Sequence, residues 1–92
     1  MPAPFEVRLH PEVSRDLESI SRHMADRILT AIDERLAAAP GRFGERLRKS
    51  LRGYWKLRVG DYRVVYAIVG RQVRVLGVMD RKEVYGRIVR RL

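Results

Sequence analysis

The chain has 92 residues, is 46% hydrophobic and carries a formal net charge of +9, which suits one folded domain around a single core and excludes two. It has no cysteine, so disulfides, thiolate metal sites and thiol redox chemistry are excluded. The charge is uneven: residues 1–40 sum to −2 and residues 41–92 to +11, so a polyanion-binding surface is expected from the second half.

The longest apolar run, Val64 to Val69, falls far short of the ~20 residues of a membrane helix. Met1-Pro2-Ala3-Pro4 lacks the charged and apolar regions of a signal peptide, which predicts a cytoplasmic protein with no membrane role. Phe5, Val7 and Leu9 alternate with Glu6 and Arg8, the pattern of a half-buried first strand. Pro11 suits the first position of a helix and Glu12 its first turn. Val13, Leu17, Ile20 and Met24, then Ile28, Leu29, Ile32 and Leu36, recur at helical spacing. They predict a helical hairpin over residues 11–39, broken near Ser21 to His23 and stopped at Pro40-Gly41. Residues 41–53 set Gly41, Gly44 and Gly53 among Arg42, Arg46, Arg48, Lys49 and Arg52, predicting a basic loop with a turn of helix.

Tyr54 to Val59 and Tyr62 to Val69 flank Gly60-Asp61, a two-residue hairpin turn that faces Val59 with Tyr62 and Arg58 with Arg63. Gly70-Arg71 makes a second such turn into the strand 73–79, pairing Val69 with Gln72 and Arg63 with Val78. Residues 82–92 place Val84, Ile88, Val89 and Leu92 at helical spacing, with Glu83 four residues before Arg87. The expected fold is α+β: a helical hairpin packed on a small, mainly antiparallel four-stranded sheet with a short C-terminal helix, one domain over residues 1–92.

Period-two alternation puts Tyr54, Lys56, Arg58 and Arg63 on one face and Trp55, Leu57, Val59, Tyr62 and Val64 on the other. Like charges directly opposite cost a hairpin ~0.2–1 kcal/mol, a penalty that a bound anion reverses. Beyond the third strand the chain reaches Arg81, with Tyr85 one helical turn further. The guanidinium groups of Arg58, Arg63 and Arg81, the Lys56 amine and the Tyr85 phenol can grip and polarise a phosphodiester without metal or cofactor. The matching chemistry is attack by an RNA 2′-hydroxyl on its own phosphate, with an amine or phenol moving the proton. Singly, each residue has a plainer account. Tyr62 and Tyr66 share the Trp55 face and read as core, and most lone surface cations are merely solvated. Convergence is what points to chemistry. His10 and His23 are too isolated for a metal site, and no Ser, His and acid set is present.

Leu51-Arg52-Gly53, the segment Gly60 to Tyr66 and the ending Asp80-Arg81-Lys82-Glu83-Val84-Tyr85 resemble the RelE/ParE superfamily of bacterial toxin–antitoxin toxins. The order of elements agrees along nearly the whole chain. RelE-like members are small cytoplasmic ribonucleases that cut mRNA in the ribosomal A site and are neutralised by an antitoxin from the same operon. The resemblance implies that Arg63 and Arg81 stabilise the transition state, that Tyr85 positions RNA and assists proton transfer, and that Lys56 is the strand lysine. Arg48, Lys49, Arg52, Arg58 and Lys82 are expected to hold RNA and ribosome. The implied partners are a cognate antitoxin, joined in a hetero-oligomer, and the ribosome with its A-site mRNA. Two positions depart from the RelE pattern. Tyr54 stands where active members often have a second lysine, and Asp80 where many have a histidine or another cation, so an Asp80–Arg81 ion pair is expected. Two other readings compete: a ParE-like toxin that inhibits DNA gyrase without ribonuclease activity, and a non-catalytic basic RNA-binding module. A gyrase inhibitor has no need for Arg63, Arg81 and Tyr85 to converge, and the module requires its single Trp and four Tyr to be exposed, whereas most fall on core faces.

Overall fold

Two tight hairpins build the centre of the sheet. In the computed structural model, which describes residues 4–92, β3 (Trp55–Val59), β4 (Tyr62–Val69) and β5 (Gln72–Asp80) run antiparallel. Gly60 and Gly70 sit at φ of 60° and 61°, the left-handed backbone that these turns require. β1 (Glu6–Leu9) adds to β5 in parallel, and β2 (Glu45–Arg46) pairs antiparallel with Trp55 and Lys56. The strand order is β1-β5-β4-β3-β2, one strand more than expected.

That extra strand comes from the basic stretch expected as a loop. It forms α3 (Pro40–Phe43), β2 and a 3-10 turn (Lys49–Leu51). Pro40 opens α3 at a position where a missing N–H costs nothing. The helical hairpin is α1 (Val13–Glu18) and α2 (Arg22–Ala31), the latter prolonged by a π-helical turn, Ile32–Leu36. Its break lies at residues 19–21, where the Ser21 hydroxyl accepts from the Met24 N–H at 3.2 Å and caps α2. The first helix starts at Val13 rather than Pro11, because the His10 imidazole accepts from the Glu12 N–H at 3.0 Å and holds Pro11-Glu12 in a turn.

Both faces of the sheet are covered. Val13, Ile28, Ile32 and Leu36 of the hairpin pack on Leu57, Val64, Tyr66, Val73, Val75 and Val78. On the opposite face α4 (Val84–Arg91) brings Val84 and Ile88 onto Leu47, Leu51, Val65 and Met79. β5 serves both cores through a bulge. Tyr66 faces Val75 and Val65 faces Gly77, so Leu76 is the extra residue and Arg63 faces Met79 rather than the expected Val78. Alternation cannot show this in the apolar run Val75 to Met79, where either phase looks hydrophobic. Gly77 leaves room at the bulge: a Cβ there would come within 2.8 Å of the ends of the Arg91, Met79 and Ile88 side chains, which would have to shift.

β1 ends opposite Val75, which leaves the remaining edge of β5 open. Asp16 of α1, only 2% exposed, fills it. Its carboxylate accepts from the Val78 N–H at 2.9 Å, from both terminal nitrogens of Arg91 at 2.6 Å and from Arg87 at 3.1 Å. Arg91 also donates to the Leu76 carbonyl at 3.1 Å, so side chains satisfy polar groups of β5 that the strand ladder leaves unpaired. The Asp16 hydrogen bonds hold the Arg91 guanidinium pKa above its ordinary value. One carboxylate on the hairpin side thereby anchors the helix on the other side. Among the described residues no helix is long and apolar enough to cross a membrane.

Asp16→Ala leaves the Arg91 charge without its partner in a poorly hydrated place, an expected loss of about 3 kcal/mol. Urea unfolding reads the loss, and amide exchange should rise first over residues 84–91; an unchanged midpoint would show that Val84 and Ile88 suffice to hold α4.

The buried Tyr66 hydroxyl donates to the Pro40 carbonyl at 2.6 Å, and burial pushes its pKa up from 10.0 to about 12. The folded state thus keeps this proton to higher pH than the unfolded chain does, so the contribution is complete below pH 10 and declines as pH rises to about 12. Stability measured across that window should fall by about 2 kcal/mol more in the wild type than in Tyr66→Phe. Parallel pH profiles for the two proteins would contradict this.

Candidate active site

The bulge decides which face Arg81 joins. With Arg63 opposite Met79, Arg81 is the next residue of β5's direction on the same face; opposite Val78, it would point through to the hairpin side. The Arg81 N–H donates to the Asp61 carbonyl at 3.3 Å, tying the end of β5 to the Gly60-Asp61 turn. Lys56 approaches from β3, where it faces Val65, and Tyr85 comes from the first turn of α4. Lys56, Arg63, Arg81, Lys82 and Tyr85 line one cavity of about 330 Å³ over Leu47 and Val84. No carboxylate lines it.

The side chains in this cavity are held by different means. The Arg63 Nη1 donates to the Tyr62 carbonyl at 2.9 Å and to the Gly60 carbonyl at 3.2 Å, which fixes the guanidinium against its own turn. Its Nε and Nη2 donors remain available for an anion. The Tyr85 oxygen accepts from the Arg48 main-chain N–H at 3.1 Å. One lone pair is thus engaged, and the phenolic proton is free to be donated outward.

The remaining expected residues are distributed differently. Arg48, Lys49 and Arg52 line a neighbouring cavity of about 560 Å³ with Arg46, Gly53 and Trp55. Arg58 does face Arg63 in register, yet it does not join the cluster. β2 covers only Trp55 and Lys56, so Arg58 stands at an open edge and lines a groove along α2 with the acids Asp26 and Glu34. The expected Asp80–Arg81 ion pair is absent among the described residues: the Asp80 carboxylate accepts from the Lys82 N–H at 2.9 Å and shapes the turn into α4. Glu83 pairs with Arg87 at 3.4 Å, as their spacing predicts. Tyr54 packs against the second core instead of lining the cavity. The sequence reading missed the Arg48 N–H and Asp16. A main-chain donor has no residue signature, whereas Asp16 carries a weak one, an acid set in the apolar stripe of α1 between Val13 and Leu17. No group of three or more His, Cys, Asp or Glu placed to hold a metal occurs among the described residues.

Residues 7–85 match the family model described as ParE toxin of type II toxin-antitoxin system, parDE. Toxin RelE of Mycobacterium tuberculosis is 37% identical over 65 residues, 71% of this chain and 67% of that protein. The toxin–antitoxin complex RelBE2 from Mycobacterium tuberculosis contains a chain of TM-score 0.79 at 30% identity, covering 85% of this chain and 99% of that one. A free-state mutant of the E. coli toxin RelE shares the fold at TM-score 0.73 and 19% identity, over 100% of this chain and 99% of that one.

Since Asp80 acts as a turn acceptor and not as a partner of Arg81, Asp80→Asn should retain stability within about 0.5 kcal/mol, while Asp80→Ala should lose about 1 kcal/mol, the scale of a lost cap. Thermal unfolding of the two variants decides it; equal melting would remove the turn role.

Proposed function

The chain belongs to the RelE/ParE superfamily of toxins of type II toxin–antitoxin systems, and from that premise we propose that this RelE-like toxin is a ribosome-dependent mRNA endonuclease. The observation that carries the proposal is the meeting of Lys56, Arg63, Arg81 and Tyr85 in one cavity free of carboxylates. A phosphodiester entering it meets cations on several sides. As the RNA 2′-oxygen attacks phosphorus, negative charge grows on the non-bridging oxygens, where Arg63 and Arg81 stabilise it through charge-assisted hydrogen bonds. The 2′-oxygen–phosphorus bond forms and the phosphorus–5′-oxygen bond breaks, leaving a 2′,3′-cyclic phosphate and a 5′-hydroxyl. Lys56 takes the proton from the 2′-hydroxyl when its amine is neutral, and the outward proton of Tyr85 is directed at the phosphate or the leaving oxygen. No histidine or carboxylate lines the cavity to share in the proton transfer, which supports a requirement for the ribosome to present the mRNA in reactive geometry.

The cognate antitoxin is the expected protein partner, as in the RelBE2 complex, and the cytoplasm the expected site of action. A gyrase-inhibiting ParE-like toxin is the second reading, favoured by the name of the matching family model. The two differ in what they require: gyrase inhibition has no use for paired arginines facing an outward phenol.

Arg63→Ala and Arg81→Ala should each lower mRNA cleavage on programmed ribosomes by about 10²–10³-fold, the usual cost of one transition-state donor. Primer extension at matched concentrations of folded protein reads the effect. Equal cleavage by the wild type and both variants would overturn the site, and uncleaved mRNA together with blocked gyrase supercoiling would favour the second reading.

A further inference from the structure

Beside the reactive cavity lies a groove of about 560 Å³ lined by Arg46, Arg48, Lys49 and Arg52 with Gly53 and Trp55. We propose that this groove is a nucleotide subsite, in which the outer face of Arg46 stacks a base of single-stranded RNA while Arg48, Lys49 and Arg52 hold its phosphate. The proposal rests on the ribonuclease reading and adds where the substrate strand runs beyond the scissile bond.

Its charge is uncompensated. Among the described residues none of the four cations is in an ion pair, and no acid lines the groove. A stack also ends there. Trp55 lies on the buried Tyr66 with ring centroids 6.4 Å apart and planes 17° from parallel, and the Arg46 guanidinium sits 5.1 Å above the Trp55 ring. Tyr66, Trp55 and the exposed Arg46 therefore form a column whose last member is a weakly hydrated planar cation, a surface on which nucleobases stack. An acidic peptide could satisfy the charge, but it would have no use for the column.

The loop that supplies the phosphate-holding side chains is itself under constraint. Lys49 adopts φ 54°, a left-handed backbone that costs a side-chain-bearing residue about 1–3 kcal/mol and persists only where the surroundings impose it. Leu47 and Leu51, both buried in the second core, pin the loop on either side of Lys49. The groove also adjoins the reactive cavity. Leu47 lines both, and the Arg48 N–H is the group that holds the Tyr85 oxygen. A strand passing Tyr85 reaches Arg46 by turning round the β2 edge, since Arg46 shares the sheet face of Trp55.

Trp55 is the only tryptophan, so its emission reports occupancy without any chemistry. A labelled 2′-O-methyl RNA hexanucleotide, which lacks the attacking hydroxyl, is titrated at low salt while label anisotropy and Trp55 emission are followed together. Both signals should saturate at the same concentration. Arg46→Gln should weaken binding by about fivefold or more, the scale of one lost stacking contact. Lys49→Gly with Arg52→Gln should flatten the dependence of log K on log salt by about 1.4, and the glycine keeps the left-handed backbone without strain. An oligoglutamate of equal charge should leave the emission unchanged. The proposal is overturned by absence of hexanucleotide binding, by binding with unchanged Trp55 emission, by an unaltered salt slope, or by an equal emission response to oligoglutamate, which would make the groove a site for an acidic protein segment. Loss of the ribonuclease reading has a different signature: mRNA stays intact on ribosomes while the Trp55 response to the hexanucleotide persists.

Discussion

The site depends on a carboxylate that never touches it. Asp16 is buried at the open edge of β5 and accepts from the Val78 N–H, Arg87 and Arg91. Burying a carboxylate is unfavourable unless its lone pairs are filled, and here they are filled by groups from β5 and from α4. The first bond holds β5 two residues beyond the extra Leu76, and that extra residue turns Arg81 onto the face of Arg63. The others hold α4 on the sheet, which places Tyr85 above that face. Removing Asp16 therefore disturbs two of the four residues nominated for chemistry without contacting either.

The distribution of acids explains how the cavity stays cationic. Residues 41–92 contain four acids, Glu45, Asp61, Asp80 and Glu83, and none lines the cavity. Asp80 caps the turn into α4 and Glu83 pairs with Arg87. Arg63 is fixed by carbonyl oxygens rather than by a carboxylate, so it is positioned without being neutralised. Crowded cations repel one another, and a phosphate relieves that repulsion, increasingly so as charge accumulates on it in the transition state.

Much of the fold is legible in the chain because two-residue glycine turns and alternating strands are local signals. Gly60-Asp61 and Gly70-Arg71 fix the hairpin registers near each turn, and the faces of Lys56, Arg63, Trp55 and Leu57 follow from them. Farther from the turn alternation loses phase. The bulge at Leu76 lies in a run apolar on both faces, so alternation pairs Arg63 with Val78, a register that turns Arg81 away from the cluster. β2 is two residues long and rich in charge, and only its pairing with β3 identifies it as a strand. Arg58 has the right register and the wrong surroundings: the edge of β3 is open beside it, a property of where another strand ends.

Product-end analysis tests the account most directly. A defined mRNA translated on ribosomes with this protein should yield fragments ending in a 2′,3′-cyclic phosphate and beginning with a 5′-hydroxyl, as mass spectrometry of the termini would show. Fragments with a 5′-phosphate, or mRNA that stays whole while translation continues, would contradict it.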